Sequence, residues 1–452
     1  MKALTRDLGR LLAAGVLPAA LVVPALLPGA STAGPAGPLP NPDRPAVTPV
    51  APLAAPALPR SVASSCPAMR RQAGKGNSAP SLVVLELGSG ETACALNPDR
   101  TRSLASNTKI LTTAAVLGRL GPSYRVQTRL FTDGTIDSEG TLQGSLYLKG
   151  GGDPALGTGP FLDNYLGGAG TDIDSLAIQA RKAGLKRVTG RVYGDESIFD
   201  PLRGVADSGY ATSAWIGPLS GLSINAGFTG AGLSEFSSNP ARLAARTLAK
   251  RLKKRGVSVT DRVALGKTPG VALRSRPLAA ERSEDMGWMA GVTNVNSNNF
   301  FAEMLVKVLG ATEGRGGSTR AGTQVVREFA GSLGATVAPV DGSGLTVTNR
   351  ASAEAIARLL VNAREKDWWG SFYRSLPIAG REGTVAYRMR GTAAEGRCRT
   401  KTGTLTGVSA LSGYCFNRSG RRFAFSILMN GVSDTYSARS AQDRIAALIA
   451  GL

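Results

Sequence analysis

Short apolar runs bounded by turn residues lie near both ends of the folded sequence, and helical spacing dominates between them. SLVVLEL at 81–87 reads as a strand, Gly88-Ser89-Gly90 as a turn, and a second strand runs through Cys94, together a hairpin. In SNTKILTTAAVLGRLG the apolar residues Ile110, Ala114, Leu117 and Leu120 recur three or four apart, and Gly121-Pro122 stops the pattern. Ser106 is thereby predicted at a helix N-terminus. NNFFAEMLVKVL and the segments 320–333 and 352–365 read as further helices. Strands follow at about 397–402, 408–416 and 421–429, then a helix at about 434–450. Two strands near the start and three near the end, with flanking helices, combine into one antiparallel sheet of an α+β fold.

The stretch 124–284 differs in character. Runs such as RVQTRLFT, GSLYLKG and RVTGRVYG alternate with Gly-rich turns before a helix-like segment at 240–254, as in a strand-rich insertion. The expected layout is a catalytic domain from 61–123 and 285–452, interrupted by an accessory insertion at 124–284. Ahead of it, residues 34–60 are rich in Pro and Ala and read as an extended linker. Residues 1–33 read as a signal peptide: Lys2, Arg6 and Arg10 precede an apolar run, and Ser31-Thr32-Ala33 offers a small-residue cleavage site. The protein is therefore expected to be exported.

Composition narrows the chemistry. The chain of 452 residues contains no histidine, which removes Ser-His-Asp and Cys-His arrangements and histidine metal sites. Lys plus Arg number 53 against 32 Asp plus Glu, a formal charge of +21, which favours anionic surroundings such as an acidic wall polymer. No Cys/His zinc pattern or aromatic-interleaved basic motif selects nucleic acid as a partner. Four cysteines in an exported chain read as two disulfides rather than a metal site, with three connectivities open. Cys398 and Cys415 flank a predicted hairpin, and pairing them would leave Cys66 with Cys94.

Without histidine, a serine nucleophile needs another base, and a deprotonated lysine is the available one. Ser106 and Lys109 are three apart at a helix start and can share one face. A free lysine titrates at about 10.4, so it must be desolvated or placed near another cation, for which Lys401 is the candidate. Ser-x-x-Lys alone is a weak signal, since a serine here could simply cap the helix. The order of further motifs gives it weight. Ser297-Asn298-Asn299 stands at a helix start, and Lys401-Thr402-Gly403 lies on a predicted strand with Thr404 after it. Ser-x-x-Lys, Ser-Asp-Asn and Lys-Thr-Gly form the signature of class A β-lactamases and penicillin-binding proteins.

On these residues the chain resembles the penicillin-binding protein 4 type of D-alanyl-D-alanine carboxypeptidase, many of whose members are also endopeptidases. The likeness extends to ASNTKILTTAA, YLKGGGDP, SNNFFAEML, DGSGL and TKTGTLTGVSALSGY, over about residues 80–450. It implies a penicillin-binding, β-lactamase-like transpeptidase domain acting on peptidoglycan stem peptides, inhibited by β-lactams and needing no cofactor or metal. It also implies roles. Ser106 is the nucleophile, Lys109 the base, and Ser297 a proton relay; Asn299 holds the substrate backbone. Lys401, Thr402 and Gly403 form the carboxylate-binding strand, and backbone N–H groups of Ser106 and Thr404 the oxyanion hole.

The chain departs from the family pattern after DGSGL, where many members have Ser-Arg and this sequence has Thr346-Val347. The side-chain preference for the diamino acid is left open by this, as is any contribution of Asp195 to the same pocket; Arg350 is close but not aligned. A β-lactamase and a weakly active penicillin-binding wall module are the alternative readings.

Overall fold

The computed structural model describes residues 60–452 apart from 77, 231, 232 and 261. The expected signal peptide, and the linker up to residue 59, lie outside the described residues.

Elements of the catalytic part are numbered in chain order. They are helix α1 (Arg60–Gly74), strands β1 (Ala79–Glu86) and β2 (Thr92–Leu96), and helices α2 (Thr108–Leu120), α3 (Met286–Val295) and α4 (Asn299–Thr312). Then come α5 (Thr319–Ser332), α6 (Ala353–Ala363), α7 (Trp369–Ser375), β3 (Cys398–Leu405), β4 (Val408–Phe416), β5 (Arg422–Asn430) and α8 (Thr435–Gly451). The five strands pair antiparallel in the order β3-β4-β5-β1-β2, the single sheet expected from the sequence. Helix α1 has no counterpart in the sequence reading; it carries Pro67 within it.

The sheet is covered on both faces, and the period of two along its strands decides which side chain goes where. Leu82 and Val84 of β1, with Phe425 and Ile427 of β5, face a core shared with Met69 and Ala73 of α1 and Ile445 and Ile449 of α8. Val83 and Leu85, with Ala424 and Leu428, face the opposite core, which contains Ile110 and Leu117 of α2, Met304 and Leu305 of α4 and Ile356 and Leu360 of α6. Strand β4 is buried along nearly its whole length, as a central strand must be. Side-chain caps start the helices around the site: Asp285 accepts from the Trp288 amide for α3 and Asn298 from the Phe301 amide for α4. Disulfides Cys66–Cys94 and Cys398–Cys415 tie α1 to β2 and β3 to β4, the latter pair directly opposed in register.

A second five-stranded sheet is built from segments between β2 and α3, in the order 263–265, 192–195, 146–149, 127–132, 279–282. Its strands are mixed parallel and antiparallel. Helices Ile173–Lys182 and Pro240–Lys254 share its core through Leu176, Ala180, Ala244 and Leu248. The insertion is anchored to α4 by Lys307, wholly buried, whose Nζ donates to Asp200 at 2.6 Å and to the Leu202 carbonyl at 3.0 Å.

Candidate active site

Helix α2 runs through the middle of the molecule, and every residue from Thr108 to Leu117 is buried. Its polar residues are satisfied locally. Thr108 donates to the Ala105 carbonyl at 2.9 Å, Thr112 to Gly342 at 2.8 Å and Thr113 to Lys109 at 2.7 Å. Ser106 does not cap the helix; it sits in a short 3-10 turn, Ala105–Asn107, immediately before it. Ala105, immediately before Ser106, has φ 45° and Ser297 φ 53°, left-handed conformations uncommon for residues with a side chain.

Ser106, Lys109, Ser297, Asn299 and Lys401, up to 295 positions apart in the sequence, form two linked pairs of contacts. Nζ of Lys109 lies 3.0 Å from Oγ of Ser106, 2.7 Å from Oδ1 of Asn299 and 2.7 Å from the carbonyl of Ser343. Nζ of Lys401 donates to Oγ of Ser297 at 2.9 Å and to the Thr402 carbonyl at 2.9 Å. Both lysines are wholly buried. A neutral amine has two N–H groups and one lone pair. Since Asn299 Oδ1 and the Ser343 carbonyl can only accept, they take the two N–H groups of a neutral Lys109 and leave its lone pair to the Ser106 hydroxyl.

Burial lowers the Lys109 pKa from 10.5 to about 7, against the opposing pull of Asp341 and Glu303. Of the two causes open from the sequence, desolvation or a neighbouring cation, desolvation is the one that lowers it. Lys401 is itself held well below the ordinary lysine range by desolvation and then by the charge of Lys109.

The strand and the serine turn meet at Gly403. A Cβ there would stand 2.7 Å from the Leu104 carbonyl, 3.0 Å from Nδ2 of Asn107 and 3.1 Å from the Ser106 nitrogen. The sequence expectation ended the strand at 402, but β3 continues to Leu405 and carries Lys401, Thr402, Gly403 and Thr404 past that turn. Asn107 fastens the two by donating to the Lys401 carbonyl at 3.2 Å. On the other side, Gly344 of DGSGL has φ 86°, and a Cβ there would lie 1.8 Å from the Ala105 carbonyl.

Several residues at this centre are absent from the sequence reading. Trp215 of the insertion offers its carbonyl to Nδ2 of Asn299 at 3.0 Å. Thr384, in the connection between α7 and β3, shares a hydroxyl hydrogen bond of 2.9 Å with Thr402. Arg439 of α8 donates to the Thr404 hydroxyl at 3.2 Å. Glu303 accepts from the Gly342 and Ser343 amides at 3.0 and 2.7 Å. Glu303 lies within SNNFFAEML, one helical turn beyond Asn299, but nothing in that string marks it out; Trp215 and Thr384 carried no signal either. Asp195 is taken up inside the insertion, accepting from Lys149 at 3.1 Å and from the Thr268 hydroxyl at 2.6 Å. Val347 is exposed, and its amide donates to Asp207 of the insertion at 3.3 Å.

Residues 71–235 and 228–452 match the D-Ala-D-Ala carboxypeptidase 3 (S13) family. The chain is 31% identical over 448 residues to a D-alanyl-D-alanine carboxypeptidase of Actinomadura sp. (strain R39), covering 82% of this chain and 80% of that one. It is 32% identical over 362 residues to carboxypeptidase DacB of Mycolicibacterium smegmatis, covering 76% and 74%. In fold it is similar to penicillin binding protein 4 (dacB) from Haemophilus influenzae, with a TM-score of 0.70 at 20% identity over 84% of this chain and 97% of that one. That protein is also known in complex with a β-lactam, at a TM-score of 0.65 and 19% identity over the same shares. The extent of the family match and the identity to its curated relatives mean that this chain belongs to the D-Ala-D-Ala carboxypeptidase 3 (S13) family.

Proposed function

We propose that this protein is an exported serine-type D-alanyl-D-alanine carboxypeptidase and endopeptidase that cleaves peptidoglycan stem peptides through an acyl-enzyme on Ser106, where β-lactams also acylate it. The observation that carries this reading is the contact of 3.0 Å between Ser106 Oγ and a wholly buried Lys109 whose pKa lies at about 7. A lysine in that state is a base near neutral pH, and a serine next to it is a nucleophile.

Lys109 takes the hydroxyl proton as Ser106 Oγ bonds to the carbonyl carbon of the penultimate D-alanine. Backbone N–H groups of Ser106 and Thr404 hold the resulting oxyanion. The carbonyl re-forms as the C–N bond breaks, and the departing amine receives the proton held by Lys109 through Ser297, which leaves Lys109 neutral. Water then attacks the acyl carbon as Lys109 takes its proton, and Lys109 returns that proton to Ser106 Oγ as the ester C–O bond breaks. Asn299 holds the peptide backbone, and Lys401 with Thr402, presented beside Gly403, binds the terminal carboxylate. That carboxylate restores the charge of Lys401, because an opposite charge in contact favours the ammonium that burial alone disfavours.

The family match and the carboxypeptidase relatives support this activity over a β-lactamase. The formal charge of +21 supports an added electrostatic association with anionic wall polymers. Release of free D-alanine from a stem pentapeptide is the test. Steady release that disappears in Ser106→Ala supports the reading. Hydrolysis of benzylpenicillin without D-alanine release would favour the β-lactamase alternative, and penicillin binding with neither would favour a weakly active wall module.

A further inference from the structure

Glu303 is a buried ionisable side chain of the centre that the acyl-transfer steps leave unused. Glu303 lies on α4 one helical turn beyond Asn299 and is wholly buried. One carboxylate oxygen accepts from two successive amides, Gly342 at 3.0 Å and Ser343 at 2.7 Å, and the other has no hydrogen-bond partner. The Ser343 carbonyl that follows is one of the two acceptors that orient Lys109, at 2.7 Å. Further fastenings of this turn include Asp341, which accepts from the Gly344 and Thr346 amides at 2.7 Å each, and Thr112, which donates to the Gly342 carbonyl at 2.8 Å.

We propose that Glu303 is a positioning residue for acyl transfer: it holds the Gly342–Ser343 turn where the Ser343 carbonyl directs the Lys109 lone pair at Ser106. The proposal rests on the reading of Lys109 as base.

The charged groups around Glu303 are Lys109 from α2, Asp341 from the turn and Lys307 one turn along α4. Lys307 is committed to Asp200, and Asp341 to its own turn. Burial, then the nearby Asp341, raises the Glu303 carboxyl to about 8, above the value of about 7 at which Lys109 titrates, so the group is uncharged there and acts through the two amide hydrogen bonds it accepts. Gln at this position keeps a carbonyl for the two amides, whereas Ala loses it.

The test follows the rate of Ser106 acylation by benzylpenicillin against pH in the full chain, for the wild type, Glu303→Gln and Glu303→Ala, with melting temperatures alongside. Glu303→Gln, which keeps an acceptor for the two amides, is expected to acylate within about threefold of the wild type with its acidic limb in place. Glu303→Ala is expected to slow acylation by about a hundredfold at every pH, the size of effect that misplacing a catalytic group produces. A Gln variant as slow as the Ala variant would overturn the proposal, as would a folded Ala variant within about threefold of the wild-type rate. If the Ala variant does not fold, Glu303→Leu, which fills the space without an acceptor, takes its place in the comparison. Acylation of the wild type at Ser106 tests the underlying reading separately.

Discussion

The amide of Asn299 is shared between Lys109 and the insertion: Oδ1 lies 2.7 Å from Nζ of Lys109, while Nδ2 donates to the Trp215 carbonyl at 3.0 Å. One side chain thus orients the lysine and fixes a loop 84 residues distant in sequence. Asn299→Asp puts a second acceptor charge beside Lys109, which favours its protonated form. The acidic limb of the acylation profile should move to higher pH, whereas that of Glu303→Gln stays in place. Stopped-flow acylation by a chromogenic β-lactam between pH 5 and 9 reads both.

Gly403 permits β3 to pass against the serine turn. Gly403→Ala places a Cβ 2.7 Å from the Leu104 carbonyl, a backbone atom that cannot swing aside. Overpacking of this kind costs about 1–3 kcal/mol. Acylation should fall together with thermal stability, and Gly407→Ala, with no neighbour within 4 Å of its Cβ but φ 73°, controls for backbone strain alone. A Gly403→Ala variant that acylates as fast as the wild type would contradict the close approach.

The buried Lys109 also makes stability depend on pH. Its pKa falls from 10.5 to about 7 on folding, so between those values the unfolded chain binds the extra proton. The cost of burying it is full below pH 7 and is relieved as pH rises toward 10.5. Denaturation midpoints of the wild type should therefore rise relative to those of Lys109→Met between pH 7 and 9. Parallel curves would show that Lys109 keeps an ordinary pKa.

Cys398 and Cys415 face each other across β3 and β4, three positions from Lys401 and Ser412 in the same register. The loop they close spans 17 residues, for which a disulfide contributes about 3 kcal/mol. The Cys398→Ser/Cys415→Ser double variant should unfold at correspondingly lower denaturant concentration. Because β3 is an edge strand, acylation should fall with it.

Much of this arrangement is legible in the sequence because its chemistry is carried by short contiguous strings. Ser106 with Lys109, and Lys401 through Thr404, each reveal a local element as well as a reactive group. The sheet is legible for the same reason: strand-forming residues at 81–87 and 421–429 announce themselves without their partners. What is not legible depends on the approach of distant segments. Glu303 means nothing in particular on a helix until Gly342 and Ser343 arrive 39 and 40 residues later, and Trp215 contributes a backbone carbonyl that any residue type possesses. The choice between desolvation and a neighbouring cation as the cause of a low Lys109 pKa was open for a related reason: the degree of burial, which lowers it, is a property of the assembled core.

The most direct test of the account is intact-mass spectrometry of the protein with excess benzylpenicillin, beside Ser106→Ala, followed by peptide mapping. The account predicts one stable adduct of the antibiotic's mass on the peptide containing Ser106 and none in the variant. An adduct elsewhere, or neither adduct nor hydrolysis of the antibiotic, would contradict the assignment of Ser106 as the nucleophile.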